Sequence, residues 1–300
     1  MTTSEQKMTA AAFSRAVELV DGGDLDGALA AFARALELDP RQAQIYIRRA
    51  AAWRLKGELR RAAADYDTAI GLEPGNAAYR HLRATLRHAA DERDGAMADF
   101  NAAISLDPGF AAARVDRGIA RFLTADVAGA LADFDAALRI DPRQPNAHHM
   151  RALARRANGD LDGALADLDA ALGIDRETAD IRNDRGRINT ERGDVVAAFA
   201  DFDRATRLRP EWSRPHANRG WAAILAGDLD RAAREFSSAL ALDAGDALAL
   251  YGRGLVAMRR GDMASGHADL GAALNIVPDV ARMVTAFGIT PVAAVATPSP

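Results

Sequence analysis

The sequence predicts an all-α chain of antiparallel helix pairs, each stacked on the next, and three observations predict it. Segments beginning at Thr9, Ala43, Ala77, Ala111, Pro145, Ala179, Ser213 and Ala247 align at a spacing of 34 residues, without insertion or deletion, through Val280. Small residues return in fixed columns of that alignment, and turn-forming residues return between them. A period of this length marks a repeat array, in which each unit buries its apolar face only on its neighbours. That arrangement also lets 300 residues fold without one oversized core.

The columns describe the packing. Position 27 of the repeat is alanine throughout: Ala35, Ala69, Ala103, Ala137, Ala171, Ala205, Ala239 and Ala273. Position 20 is alanine at Ala28, Ala62, Ala96, Ala130, Ala164, Ala198 and Ala232, then Gly266. Position 8 is always alanine or glycine, as at Ala50, Gly118, Gly186 and Gly220. Position 24 is large and apolar: Phe32, Tyr66, Phe100, Phe134, Leu168, Phe202, Phe236 and Leu270. Three small columns allow two helix backbones to approach, and the bulky column fills the gap that remains.

The punctuation fits two helices per unit. Position 15 is glycine in six repeats, as at Gly23, Gly57 and Gly159, where a helix ending in the left-handed region needs it. Asp91 and Ala125 replace it in repeats three and four, and Ala125 is the poorer fit. Position 16 is acidic in every repeat, from Asp24 and Glu58 to Asp262, which suits a helix N-terminus. Position 32 is proline in six repeats, including Pro40, Pro74, Pro108 and Pro142, where a helix must stop. Helix A is expected over repeat positions 2–14 and helix B over 18–31.

Composition narrows the function. Net charge is −4 with a pI near 5.9, which argues against a nucleic-acid partner. There is no cysteine, so disulfides, thiolate metal sites and thiol nucleophiles are excluded. Residues 1–20 show no signal-peptide pattern and no run of 18 apolar residues occurs, so the expectation is a cytoplasmic protein without a membrane span. His81 and His88 lie seven residues apart rather than three or four, and His148 and His149 point apart, so no metal site is read there. GDLDGALADLD, around Asp160, lacks the order of a Ca²⁺ loop and recurs as the turn between helices. No nucleophile elbow or acid–base pair stands out, and no cofactor is expected. The reading is of a chain that is not an enzyme.

Repeat two shows the whole pattern in Ala50, Gly57, Ala62, Tyr66, Ala69 and Pro74, and these columns resemble the tetratricopeptide repeat over residues 9–280. The resemblance implies a right-handed superhelical α-solenoid of antiparallel helix pairs, with helix A lining a concave groove. It also implies that positions 2, 5, 6, 9, 12 and 13 of helix A face that groove. Carried onto this sequence, the apolar lining is Phe13, Ile47, Leu55, Leu82, Val115, Ile119, Phe122, Trp221, Ile224, Tyr251 and Met258. The polar members are Arg48, Arg54, His81, His88, His149, Arg156, Asn183, Asp184 and Arg187. An apolar floor with scattered cations suits an extended peptide or a helix, whose anchors supply affinity while charges set register. The alternative is that some of these side chains only touch one another across adjacent helices.

The chain departs from the family at position 7, which is arginine in all eight repeats: Arg15, Arg49, Arg83, Arg117, Arg151, Arg185, Arg219 and Arg253. Arg80, Arg114 and Arg182 add to the stripe at position 4, and Arg87, Arg121 and Arg155 at position 11. The stripe reads either as a trap for anions or as one half of internal ion pairs. Helix B offers partners at position 23: Asp65, Asp99, Asp133, Asp167, Asp201, Glu235 and Asp269. Antiparallel helices bring the two columns level, in reach of bidentate pairing. Repeat one lacks these acids, so Arg15 pairs elsewhere or stays in solvent. Two groove codes of the family fail here. The carboxylate clamp of co-chaperones finds Ile47 and Ala51 where a cation and an asparagine belong, and the position-6 asparagine ladder of glycosyltransferase arms is absent.

At the ends, residues 1–8 are expected to fray. Residues 281–289 are expected to form a short capping helix over helix B of repeat eight, through the stripe Val280, Met283, Val284 and Phe287, or else a dimer contact. Residues 290–300 read as a disordered Pro- and Ala-rich tail. The expected function is a non-catalytic scaffold or adaptor that binds another protein through a peptide or helix segment. The alternative is a targeting or regulatory subunit of a separate enzyme complex. No nucleic-acid or membrane partner is expected, and the oligomeric state stays open.

Overall fold

A computed structural model of the protein describes residues 3–284. The expectations for residues 285–300 lie outside them. Among the described residues there are α-helices and no strands. The A/B pairs are α1 (Thr3–Asp21) with α2 (Leu25–Leu38), α3 (Ala43–Leu55) with α4 (Leu59–Leu72), α5 (Ala77–Ala89) with α6 (Arg93–Leu106), and α7 (Ala111–Leu123) with α8 (Val127–Ile140). Next come α9 (Pro145–Ala157) with α10 (Leu161–Ile174), α11 (Ala179–Arg192) with α12 (Val195–Leu208), α13 (Ser213–Leu225) with α14 (Leu229–Leu242), and α15 (Ala247–Arg259) with α16 (Met263–Ile276). A short α17 (Val280–Val284) follows. The chain divides into two compact units, Met1–Pro142 and Arg143–Pro300. In each unit helix A packs on its own helix B, and helix B packs on the next helix A.

The turn chemistry explains the boundaries. Gly23, Gly57, Gly159, Gly193, Gly227 and Gly261 all have positive φ, and so do Asp91 (59°) and Ala125 (64°). The next residue caps helix B. Asp24, Asp126, Asp160, Asp194, Asp228 and Asp262 each accept a hydrogen bond from the backbone N–H three residues on. Glu58 and Glu92 occupy the same place without that bond, since the extra methylene moves the carboxylate away from the helix start. Helix B stops at the same repeat position whether or not proline follows. Asp175 and Asp243 precede Arg176 and Ala244, and each accepts from the N–H two residues on, at 3.2 and 3.0 Å. This aspartate turn ends the helix where proline is missing.

Close approach organises each core. Phe32, Phe100, Phe134, Leu168, Phe202 and Phe236 are fully buried between the alanine columns. A β-carbon at Gly186 would lie 2.6 Å from Cε1 of Phe202, and one at Gly220 would lie 2.7 Å from Cε1 of Phe236. Glycine is therefore a packing requirement in those repeats.

The ends differ from expectation. Residues 3–8, expected to fray, form the first turns of α1, where Glu5 suits the N-terminal dipole and Thr9 Oγ1 bonds back to the Glu5 carbonyl at 2.9 Å. In α17, Val280 and Val284 are fully buried in a core that includes Trp221, Leu255 and Leu270. The cap touches α15 as well as α16, so it closes both helices of the last repeat.

Two substitutions test this packing. Ala125→Gly relieves a side chain held in the left-handed region, and it is expected to raise the urea midpoint by the equivalent of roughly 0.5–1 kcal/mol. Gly186→Ala drives a methyl into Phe202 and is expected to destabilise the second unit by about 1–3 kcal/mol. Thermal unfolding followed by circular dichroism reads the second effect.

Candidate functional site

Successive A helices approach one another, α1 with α3 and α5 with α7 in the first unit, α11 with α13 and α13 with α15 in the second. Successive B helices stay further apart. In each unit the A helices therefore occupy the closer-packed side, and their outward positions form one face.

The arginine stripe lies beneath that face, in pairs. Arg49 clasps Asp65 through Nε and Nη2 at 2.8 and 2.6 Å, and Arg83 clasps Asp99 at 2.7 and 2.5 Å. Arg117 with Asp133, Arg151 with Asp167, Arg185 with Asp201 and Arg253 with Asp269 repeat the geometry. Arg219 reaches Glu235 at 2.7 Å. Arg83 and Arg185 also donate through Nη1 to Asp67 and Asp169 at 2.6 Å, so one guanidinium ties two B helices together. Hydrogen bonds to Asp99 and Asp201 raise the pKa of Arg83 and Arg185 against the opposing effect of burial. At position 11, Arg87, Arg121 and Arg155 add a further bond to the same carboxylates at 2.7–2.8 Å. At position 4, Arg80, Arg114 and Arg182 donate to the carbonyls of Pro74, Pro108 and Arg176, at the end of the preceding repeat. Arg15, without a helix B acid, stays in solvent beside Glu18 at 3.3 Å.

A second set of pairs runs across the face at a spacing of 35 residues. His81 Nε2 meets Asp116 Oδ2 at 2.6 Å, and His149 Nε2 meets Asp184 Oδ2 at 2.8 Å. Asn218 donates to Asn183 at 2.8 Å, and Arg156 clasps Glu191 at 2.8 and 2.5 Å. Each pair joins neighbouring A helices, position 5 to 6 or position 12 to 13. The groove residues His81, His149, Arg156 and Asn183 thus bind their own chain.

One stretch of the first unit is open. Gln44, Ile47, Arg48, Ala51 and Arg54 of α3 face Ala78, Tyr79 and Leu82 of α5 across a cleft of about 340 Å³, with Tyr66 at its base. Ile47 is buried and forms floor, whereas Arg48 and Arg54 are exposed on the rim. Burial pushes the Tyr66 hydroxyl up, and the nearby Arg54 charge pulls against it. Among the described residues, neither Arg48 nor Arg54 has an ion pair or hydrogen bond. Leu55, beside Arg54, is 62% exposed.

The sequence profile of the tetratricopeptide repeat matches residues 13–77, 81–145, 149–211 and 218–274. The chain belongs to the tetratricopeptide repeat family. Solved structures agree on the fold. A tetratricopeptide repeat protein from Parabacteroides merdae superposes with a TM-score of 0.64 at 19% identity, over 83% of this chain and 99% of that one. A chain of the APC/C hetero-tetramer Cut9–Hcn1 gives 0.65 at 18% identity, over 88% of this chain and 52% of that one. PilF of Pseudomonas aeruginosa gives 0.61 at 18% identity, over 69% and 95%. Identities this low show the fold alone. No curated protein matches the chain in sequence. Tetratricopeptide repeat proteins generally bind other proteins or peptides. No described helix is long and apolar enough to cross a membrane.

The tetratricopeptide groove positions fare unequally in this chain. Trp221 is 0% exposed and stacks edge-on against Phe236 at 5.1 Å; Tyr251 is 2% exposed. Both were expected to line a groove, yet in the second unit α13 and α15 close over them as core. Val115 is buried too. Phe13 is half-buried against Phe32, and Met258 lies against the last core cluster. Phe122 is partly exposed next to Leu123, which is 67% exposed. His88 and Arg187 are partly exposed. The cross-face pairs escaped sequence reasoning, although their 35-residue spacing was present in the columns.

Asp133→Ala would remove the buried carboxylate that Arg117 and Arg121 share, leaving Arg117 only Asn101 and Arg121 only the Gly129 carbonyl and the more distant Asp126. It is expected to cost about 3–5 kcal/mol in urea unfolding, while Asn, still able to accept, should cost less. Glu235 gives a pH test. Burial acts to raise its carboxyl, but hydrogen bonds from His216 and Arg219 outweigh it and hold the value below the ordinary 4.5. A depressed carboxylate contributes stability above its unfolded value and loses it as pH falls through the folded one. Glu235→Gln is therefore expected to flatten the fall in melting temperature below pH 4.5.

Proposed function

We propose that this chain is a non-catalytic scaffold that holds a segment of another protein against its A-helix face, in the cleft between α3 and α5. The observation that carries the reading is the state of Arg48 and Arg54. The position-7 arginines from Arg49 onward are clasped by carboxylates, whereas these two stand unpaired beside an apolar floor of Ile47, Ala51 and Leu82. An apolar floor with free cations on its rim suits a short peptide or helix that carries an apolar anchor flanked by acids. The close acid–base pairs elsewhere recur at the repeat spacing, which marks them as architecture and supports a role without chemistry.

Selection of random 12-residue peptides displayed on phage against the immobilised full chain tests this reading. Selected peptides are expected to combine a large apolar residue with Asp or Glu. Their affinity for Arg48→Glu/Arg54→Glu, measured by fluorescence anisotropy, should fall about tenfold or more, equivalent to ~1.4 kcal/mol. Both residues are exposed, so the variant should keep its circular dichroism spectrum and melting temperature. Equal binding to both proteins would remove the cleft from the account.

A further inference from the structure

The second unit carries three arginines on three successive A helices: Arg156 on α9, Arg187 on α11 and Arg214 on α13. Two carboxylates lie among them, and both are already occupied. Arg156 clasps Glu191 through Nε and Nη2 at 2.8 and 2.5 Å. His149 Nε2 meets Asp184 at 2.8 Å. Arg187 comes third to this arrangement. Its closest carboxylate oxygen belongs to Asp184 at 3.6 Å, beyond hydrogen-bond distance. Its Nε is buried without a partner, and none of its nitrogens makes a hydrogen bond among the described residues. Arg214 is exposed and without an ion pair, its guanidinium 5.9 Å from the Trp212 ring centroid. Burial, with the positive charges of Arg156 and Arg214, pushes the Arg187 pKa down despite Asp184 and Glu191.

A guanidinium in such a place normally holds a carboxylate by two parallel bonds, as the position-7 arginines do here. Arg187 has the half-buried setting and lacks that two-bond clasp, with only the 3.6 Å contact to Asp184. A purely structural role would require an acid that needs it, and both neighbouring acids have closer cations or donors.

We propose that Arg187, with Arg214 beside it, is the recognition point for a carboxylate side chain of a bound acidic peptide. The site rests on the scaffold reading, since it assigns the A face of the second unit a partner segment, but it is separate from the α3–α5 cleft. Charge complementarity selects the occupant: three arginines face two carboxylates, and one further carboxylate completes the set.

Melting of the full chain tests the site, with sodium glutarate and the capped tetrapeptide acetyl-Glu-Glu-Glu-Glu-amide as probes against sodium chloride at matched ionic strength. Both probes are expected to raise the wild-type melting temperature, by about 2 °C or more, through preferential binding to the folded state. Arg187→Met keeps the aliphatic stem and removes the charge. It should abolish the shift and, in chloride, melt no lower than wild type, because Asp184 and Glu191 keep their partners. Arg214→Gln, at an exposed position, should fold normally and halve the shift. Equal responses from wild type and Arg187→Met would overturn the proposal. So would an Arg187→Met chain that melts well below wild type in chloride, since Arg187 would then be a structural cation. A response to glutarate without one to the tetrapeptide would overturn the peptide as occupant. Failure of the peptide selection beside an intact, Arg187-dependent tetrapeptide shift would remove the cleft alone.

Discussion

Everything in this chain follows from how closely helix A approaches helix B. Alanine and glycine at positions 8, 20 and 27 set that distance, and an aromatic or leucine at position 24 fills the space. At Gly118, Gly186 and Gly220 the ring edge lies so near the backbone that no side chain fits. Helices this close bury whatever stands between them. From Arg49 onward the position-7 arginine is largely covered there, and the buried helix B acid opposite is its partner. Such buried pairs add little net stability over an apolar core, and their value lies in geometry. A guanidinium clasping one carboxylate by two bonds fixes the level of helix A on helix B. Where a further bond reaches the preceding helix B, it also fixes one repeat on the next.

That internal use of charge gives the A face its character. Most cations on the A helices are committed to acceptors within the chain, chiefly the helix B carboxylates and in a few cases acids of the next A helix, so they offer nothing to a partner. Against this background the uncommitted ones stand out by position rather than by number. Arg48 and Arg54 rim an apolar cleft in the first unit. Arg187 sits half-buried in the second, beside acids that others hold. A surface held by such a ladder is preorganised, and a segment that docks on it meets side chains already fixed in place.

Much of the fold was legible in the sequence. The 34-residue period, the αL glycines and the acidic position 16 placed the helix pairs to within a residue or two, except that α1 begins at Thr3, several residues before its repeat position. The arginine–acid pairing was legible as well, because position 7 and position 23 lie level in any antiparallel pair. The candidate site was less so. His81 with Asp116 and Asn183 with Asn218 depend on the angle between successive repeats, which local periodicity does not encode. Trp221 and Tyr251 look like groove anchors by column, yet α13 and α15 meet too closely to leave them open. Proline at position 32 marked the end of helix B in six repeats, but it is missing after Asp175 and Asp243, where an aspartate turn ends the helix instead.

The central claim is that the A helices, and not the B helices or the cap, carry the partner surface. Hydrogen–deuterium exchange read by mass spectrometry, on the full chain with and without a saturating selected peptide, tests it most directly. The account predicts slower exchange in α3 and α5, with the flanking α2 and α6 unchanged. Protection confined to B helices or to α16 and α17 would contradict it.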